Sequence, residues 1–385
     1  MGIILLLVVL LLLGAGGLLA AVYVNTRTQA AQVQQQFTRA DQCHHHQQWP
    51  ESVAAYRAAL AAWQQSGSLL GLMKIFPPAA ALARDMAHAQ LRAQSNLALA
   101  LQQTGALAEA TDLLRQKLAA GQGSSSDYAL LTELLAQQNR VTEAEPLVQQ
   151  LKERASNLRD RLRSSGGNPD YHFVQGLVLA GQGKYDEAVE QLRTLIELDK
   201  DYAPRVVKLA ALFLVDGAGR AVWEFFGTLF ERHQQVAKAQ ECLERCLQAQ
   251  PDDRILLERI AQLCQRSNRD QEALAWYEKL LRLKPDDVAV MRKMLQLQQQ
   301  HQLTDAMIAL HEKLQAYGAQ QVEDQKALAR LYQTAKRPDD AVRVVSALIE
   351  SSPADAENYF LLADLYMRGG QSEKAIFAYE RLLRQ

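Results

Sequence analysis

The residues of this chain best suited to chemistry are its cysteines and histidines, and their spacing decides what they can do. Cys43–His46 reads CHHH, four metal-ligand types in a row. On a helix, successive side chains point about 100° apart, so these four cannot converge on one tetrahedral ion without other ligands. The sequence holds no second Cys/His cluster, and the run is read as a polar helix surface. Cys242 and Cys246 stand one helical turn apart, with Cys264 beyond them. A redox pair would need basic neighbours that lower a thiol pKa, and the flanking residues show no such pattern. None of the cysteines sits in a CxxC pair, so all are read as reduced thiols used as small apolar side chains. Gly-rich phosphate loops, HExxH and GxSxG are absent from the sequence. The expectation is a protein without catalytic residues, cofactor or metal; the competing class is an enzyme or enzyme subunit using thiols or histidines.

Composition fixes what must position these residues. The chain has 385 residues, 48% of them hydrophobic, with only 10 Pro and 20 Gly, which supplies a core and argues against disorder. Good helix formers dominate. With 42 basic and 43 acidic residues intermixed, the net charge of −1 gives no footprint for nucleic acid. The first segment differs in kind. Ile3–Val24 is a run of 22 residues without a charge. At about 1.5 Å per residue it would cover roughly 33 Å, enough to span a hydrocarbon core. No Lys or Arg precedes it and no A-x-A site follows, which favours an uncleaved anchor over a signal peptide. Arg27 and Arg39 follow it, so the C-terminal side is expected to be cytoplasmic, beside a plasma or inner membrane.

An internal period then emerges. Ala239, Ala273, Ala306, Ala341 and Ala375 are separated by 34, 33, 35 and 34 residues, and Ala110 and Ala144 by 34. Each alanine sits in an amphipathic segment such as DQEALAWYEKLL or SEKAIFAYERLL. Two such helices per period resemble the tetratricopeptide repeat, in its membrane-anchored bacterial type. The match runs through Trp223, Phe226, Gly227, Phe230, Ala239, Leu243, Cys246 and Pro251, and again through Leu257, Ile260, Ala261, Cys264, Ala273, Tyr277, Leu280 and Pro285. It returns at Leu328, Ala329, Tyr332, Ala341, Val345 and Pro353, and at Tyr359, Leu362, Ala363, Tyr366, Ala375 and Tyr379. The aromatic stretch WEFFGTLF (223–230) therefore falls on packing positions, with Gly227 allowing a neighbouring helix to come close. The unit around Ala306 is looser, with Met294 in place of the small residue and Gly318 in place of the closing Pro. Asp in the PDD runs after Gln250 and Lys284 should cap new helices.

The resemblance implies an all-α fold: a right-handed superhelix of about nine helix-turn-helix repeats following one N-terminal transmembrane helix. The expected divisions are an anchor at 1–25, a linker at 26–35, a degenerate N-terminal array at 36–200 and a C-terminal array at 201–385. Three irregularities interrupt the period. Residues 66–81 hold an apolar insertion in which Pro77–Pro78 must break any helix, LRSSGGNPD (162–170) reads as a flexible linker, and an extra apolar helix is expected near Pro204–Val215. By analogy with the family, the groove-facing candidates are Glu224, Thr228, Glu258, Gln262, Met291, Leu295, Lys326, Arg330, Phe360 and Asp364. Chaperone-binding members clamp a carboxylate with Lys and Asn; Lys326 and Arg330 stand one turn apart, but the Asn partners are missing. Ile376, Tyr379, Leu382 and Leu383 of the last unit should be partly uncovered, which suggests self-association or a bound partner. The implied function is a membrane-anchored scaffold holding a partner protein or peptide in a concave groove, in assembly or regulation of a bacterial envelope complex. The alternative is a regulatory or structural subunit of a membrane-associated enzyme complex. It would be similar to the regulators of lipopolysaccharide synthesis, without their four-cysteine C-terminal module.

Overall fold

The aspartates expected as caps begin their helices as expected. Asp253 accepts from the backbone N–H groups of Ile255 and Leu256, and Asp287 from that of Val290, satisfying donors that a helix start leaves free. A computed structural model describes residues 2–66, 77–154 and 167–384, and among them the chain is helix and turn with no strand. It divides into two compact units, Met1–Phe225 and Phe226–Gln385.

The first unit starts with α1 (Gly2–His45) and α2 (Trp49–Gln65). There follow α3 (Pro77–Gln103), α4 (Leu107–Ala119), α5 (Ser125–Gln137) and, after a short 3-10 turn at Val141–Ala144, α6 (Glu145–Arg154). It continues with α7 (Pro169–Gly181), α8 (Tyr185–Leu198) and the short α9 (Ala203–Lys208), then enters α10 (Arg220–Arg232), which runs on into the second unit. There the hairpins are regular: α11 (Val236–Ala249), α12 (Arg254–Arg266), α13 (Asp270–Leu283), α14 (Val288–Gln300), α15 (Thr304–Ala316), α16 (Val322–Thr334), α17 (Pro338–Ser351), α18 (Ala356–Arg368) and α19 (Ser372–Leu383). Nine helix pairs and the unpaired α9 account for all of these helices among the described residues.

The period has a backbone signature. The first helix of each hairpin hands over through one left-handed residue: Gln234, Asn268, Gln302, Lys336 and Gly370, at φ of 54° to 72° and 34 residues apart each time. Gly105 and Asn139 continue the pattern in the first unit. Of the alanines of the period, Ala110, Ala144, Ala239, Ala273, Ala341 and Ala375 are buried, and Ala306 of the looser unit is half-buried. Trp223, Phe226 and Phe230 are buried as well, and a Cβ built on Gly227 would lie 3.3 Å from the Cys242 Cβ. At that distance α10 and α11 pack closely enough that a larger residue at 227 would push Cys242 or Leu243 aside.

Several expectations change. Residues 26–35, read as a linker, lie inside α1, with Ala30 and Val33 on a buried stripe that continues through Phe37 and Ala40. A helix with an apolar residue every third or fourth position packs instead of hanging free. Ile3–Val24 is the first half of the same helix; its side chains through residue 19, and that of Val22, are outside the described residues. Among the described residues no helix is long and apolar enough to cross a membrane. Pro77 and Pro78 do not break a helix but open α3, where a missing N–H costs nothing. α3 is 27 residues long against 13 for α5, so part of the added length is helix. The rest of the 66–81 insertion, at 67–76, is outside the described residues, as is most of 162–170. The extra helix expected near Pro204–Val215 appears as α9 and a 3-10 turn at Ala210–Leu212.

Candidate partner-binding surfaces

Most of the polar groove candidates turn out to be paired with other residues of the array. In the second unit the first helices of successive hairpins are joined by polar rungs. Arg259 of α12 donates to Thr228 and Glu231 of α10 at 2.7 and 2.8 Å. Lys293 of α14 lies 2.6 Å from Glu258, which also accepts from Gln262 at 3.1 Å. Arg292 pairs with Asp324 at 3.0 Å. Lys326 of α16 is buried and reaches Glu357 at 2.6 Å and Asp355 at 3.2 Å, while Arg330 stands 3.6 Å from Glu357. The hydrogen bond to Glu357 raises the Lys326 ammonium above its ordinary value. Lys326 is thus paired within the array. Met291 and Leu295 are core residues, out of reach of a ligand. Asp364 pairs with Arg368 at 2.9 Å, and Glu224 is half-buried on α10.

Phe360 is the exception, 54% exposed on α18. It stands against Tyr379 of α19, the ring centroids 6.0 Å apart. Also on α19, Ile376 and Phe377 are 57% and 63% exposed, and Leu383 is 85% exposed. The repeat shows why this face is apolar. One period earlier, Val345, Leu348 and Ile349 of α17 are buried, and α18 packs on that helix. Tyr379, Leu382 and Leu383 hold the same register on α19, where Tyr379 and Leu383 are open and Leu382 is half-buried. These are large apolar groups facing water, a feature common on interaction surfaces.

The first unit carries polar chemistry that sequence reading missed. Lys117 and Asp127 form an ion pair at 2.8 Å with side chains 3% and 2% exposed. The Lys117 ammonium also donates to the Leu91 carbonyl at 2.9 Å and to the Ser95 hydroxyl. Asp127 accepts further from Ser95 Oγ, Ser124 N and Ser124 Oγ at 2.7, 2.7 and 2.9 Å. Burial works to raise its carboxyl, but the donors Lys117, Ser95 and Ser124 hold it below the usual value. Nearby, Glu133 is held by Gln102 at 3.0 Å and Arg205 at 2.6 Å. The Arg205 guanidinium lies over the rings of Phe173 and Tyr202, 4.5 and 4.8 Å from their centroids. Ser124 and Asp127 form a local capping box, but the ion pairs join residues 10 and 72 apart, which no local spacing announces.

The residues first suspected of chemistry sit in packing. His44 meets Trp49 and Tyr56 edge-on, and no group of three metal-ligating side chains comes together among the described residues. Cys242, Cys246 and Cys264 are buried, and burial pushes the Cys242 thiol up to about 12.

Comparison with known proteins agrees with the hairpins. Residues 226–288 and 326–385 match one model of the tetratricopeptide repeat, and residues 169–202 match another. The looser unit around Ala306 falls in the gap between the matched stretches, although α14 and α15 form the same hairpin there. No curated protein matches the chain in sequence. Among solved structures, that of MamA protein is 14% identical over 43% of this chain and 90% of its own, with a TM-score of 0.31. A tetratricopeptide repeat protein from Parabacteroides merdae is 19% identical over 56% and 79%, with a TM-score of 0.27. Pseudomonas aeruginosa pilF is 16% identical over 71% and 97%, with a TM-score of 0.26. At these scores none of the three bears on function. The chain carries tetratricopeptide repeats, a type of unit that generally serves as a non-catalytic scaffold for contacts between proteins.

Proposed function

We propose that this chain is a non-catalytic adaptor that holds a partner protein beside a membrane, with α18 and α19 as the docking face. The observation that carries this reading is the exposed apolar cluster of Phe360, Ile376, Tyr379 and Leu383. In the repeat, the equivalent face is filled by an amphipathic helix, so the partner offers a helix of that kind. Tethering rests on the 22 uncharged residues Ile3–Val24, long enough for a bilayer. Because the helix continues to His45 with Ala30, Val33, Phe37 and Ala40 buried, a tether there would couple to the array without a flexible joint. The array would lie on the cytoplasmic side of a bacterial plasma or inner membrane and serve assembly or regulation of an envelope complex.

A second occupant of the same face has its own support. Ile376, Tyr379 and Leu383 form an i, i+3, i+7 stripe, with Glu373 at its start and Arg381 and Arg384 at its end. Two antiparallel copies would bring acid against base at both ends, as a two-fold contact requires.

Proximity labelling from the full-length protein, compared with Tyr379→Glu and Leu383→Glu, tests the docking face; an unchanged labelled set would sink it. Sedimentation of the two forms separates self-association from a foreign partner. Carbonate extraction of membranes tests the tether, and release of the full chain into the supernatant would refute it.

A further inference from the structure

The unpaired helix α9 changes the surface it lies on. Val206 and Val207 are buried, and Arg205 binds Glu133 of α5, so α9 is fixed against the first unit. It thereby walls the third side of a cleft of about 330 Å³ whose other walls are α3 and α5. Regular hairpins alone would leave that side open. The cleft has apolar patches at Leu99 and Leu130 and amides at Asn96 and Gln103.

Its charges are unevenly spent. Asp127 is neutralised from behind by Lys117, and Glu133 by Arg205, with Gln102 taking its second oxygen. Lys208, one turn from Arg205 on the same face of α9, is exposed and has no ionic or hydrogen-bond partner among the described residues. The cleft therefore lacks one negative charge. Its volume is at the small end of ligand sites, which suits a molecule of one or two amino-acid residues. With one unpaired cation the cleft balances one negative charge, and a dianion such as phosphate would bring a second charge without a partner.

We propose that this cleft binds a small monocarboxylate with an amide or short apolar stem, its carboxylate at Lys208 and its stem between α3 and α5. The ligand is a free acylated amino acid or dipeptide, or the carboxylate of a longer peptide. This site is separate from the docking face on α18 and α19.

Calorimetric titration of the full chain in detergent tests it with N-acetylglycylglycine, its C-terminal amide, inorganic phosphate, and a nine-residue amidated peptide with one internal glutamate. The acid should bind, and the amide and phosphate should not. The long peptide binding as well would identify a side-chain carboxylate as an accepted source, and its failure would restrict the site to terminal ones. Lys208→Glu should weaken binding of the acid by about tenfold or more, and since Lys208 is exposed and unpartnered its unfolding curve should match wild type. Equal binding of acid and amide, no binding of either carboxylate probe, or an unchanged affinity in Lys208→Glu would overturn the assignment.

Discussion

Lys117→Met tests the buried polar centre of the first unit. Methionine keeps most of the volume of the stem and removes the ammonium, leaving Asp127 with Ser95 and Ser124 as donors in a site almost closed to water. Removing one member of a buried pair typically costs about 3–5 kcal/mol. The surviving donors place this case near the lower end, about 3 kcal/mol, which for a unit of this size corresponds to a fall of roughly 6–12 °C in Tm. Adding Asp127→Asn removes the stranded charge while keeping a side chain that can cap α5, so the double variant should regain most of the loss. The pH dependence follows from the sign of the shift. Asp127 is held below its ordinary value in the folded chain, so its contribution is complete above the unfolded carboxylate pKa of about 3.9. It is lost as pH falls through the lower folded value. In Lys117→Met that support is gone and Asp127 protonates sooner, so the gap from wild type should narrow between pH 7 and pH 4. Repeat arrays need not unfold in one step, so hydrogen exchange on α5 should accompany the melting curve. A loss below about 1 kcal/mol, or a double variant no better than the single, would refute the reasoning.

Two other expectations concern the second unit. Gln234, Gln302 and Lys336 hold the left-handed place that Asn268 and Gly370 fill more comfortably, so replacing each with Gly should stabilise by about 0.5–1 kcal/mol, and Gly370→Gln should cost a similar amount; urea midpoints measure this, and a loss on Gln302→Gly would count against it. Burial raises the Cys242 and Cys264 thiols, so a maleimide at pH 8 should label them slowly in the folded protein and quickly in urea; rapid labelling without denaturant would show the thiols to be reactive.

Much of the array was legible in the residues. The 34-residue spacing of small side chains, the aromatic positions around Gly227 and the aspartates at helix starts each express a local requirement, whether close helix approach, core filling or an unsatisfied N–H. Local requirements repeat with the chain and can be read from it. The exposed stripe at Ile376, Tyr379 and Leu383 was legible for the same reason, since it depends on register alone.

The sequence by itself determined that this chain is a run of paired helices and which face of each is apolar, because period and burial are coupled through the geometry of one turn. Tertiary structure decided which polar groups meet. It buried Lys117 with Asp127, spent Lys326 on Glu357, took Met291 and Leu295 out of reach, and laid α9 against Glu133 to leave Lys208 facing a cleft. Those encounters join residues tens of positions apart, and whether a charge is free or satisfied depends on neighbours that only the packed chain supplies.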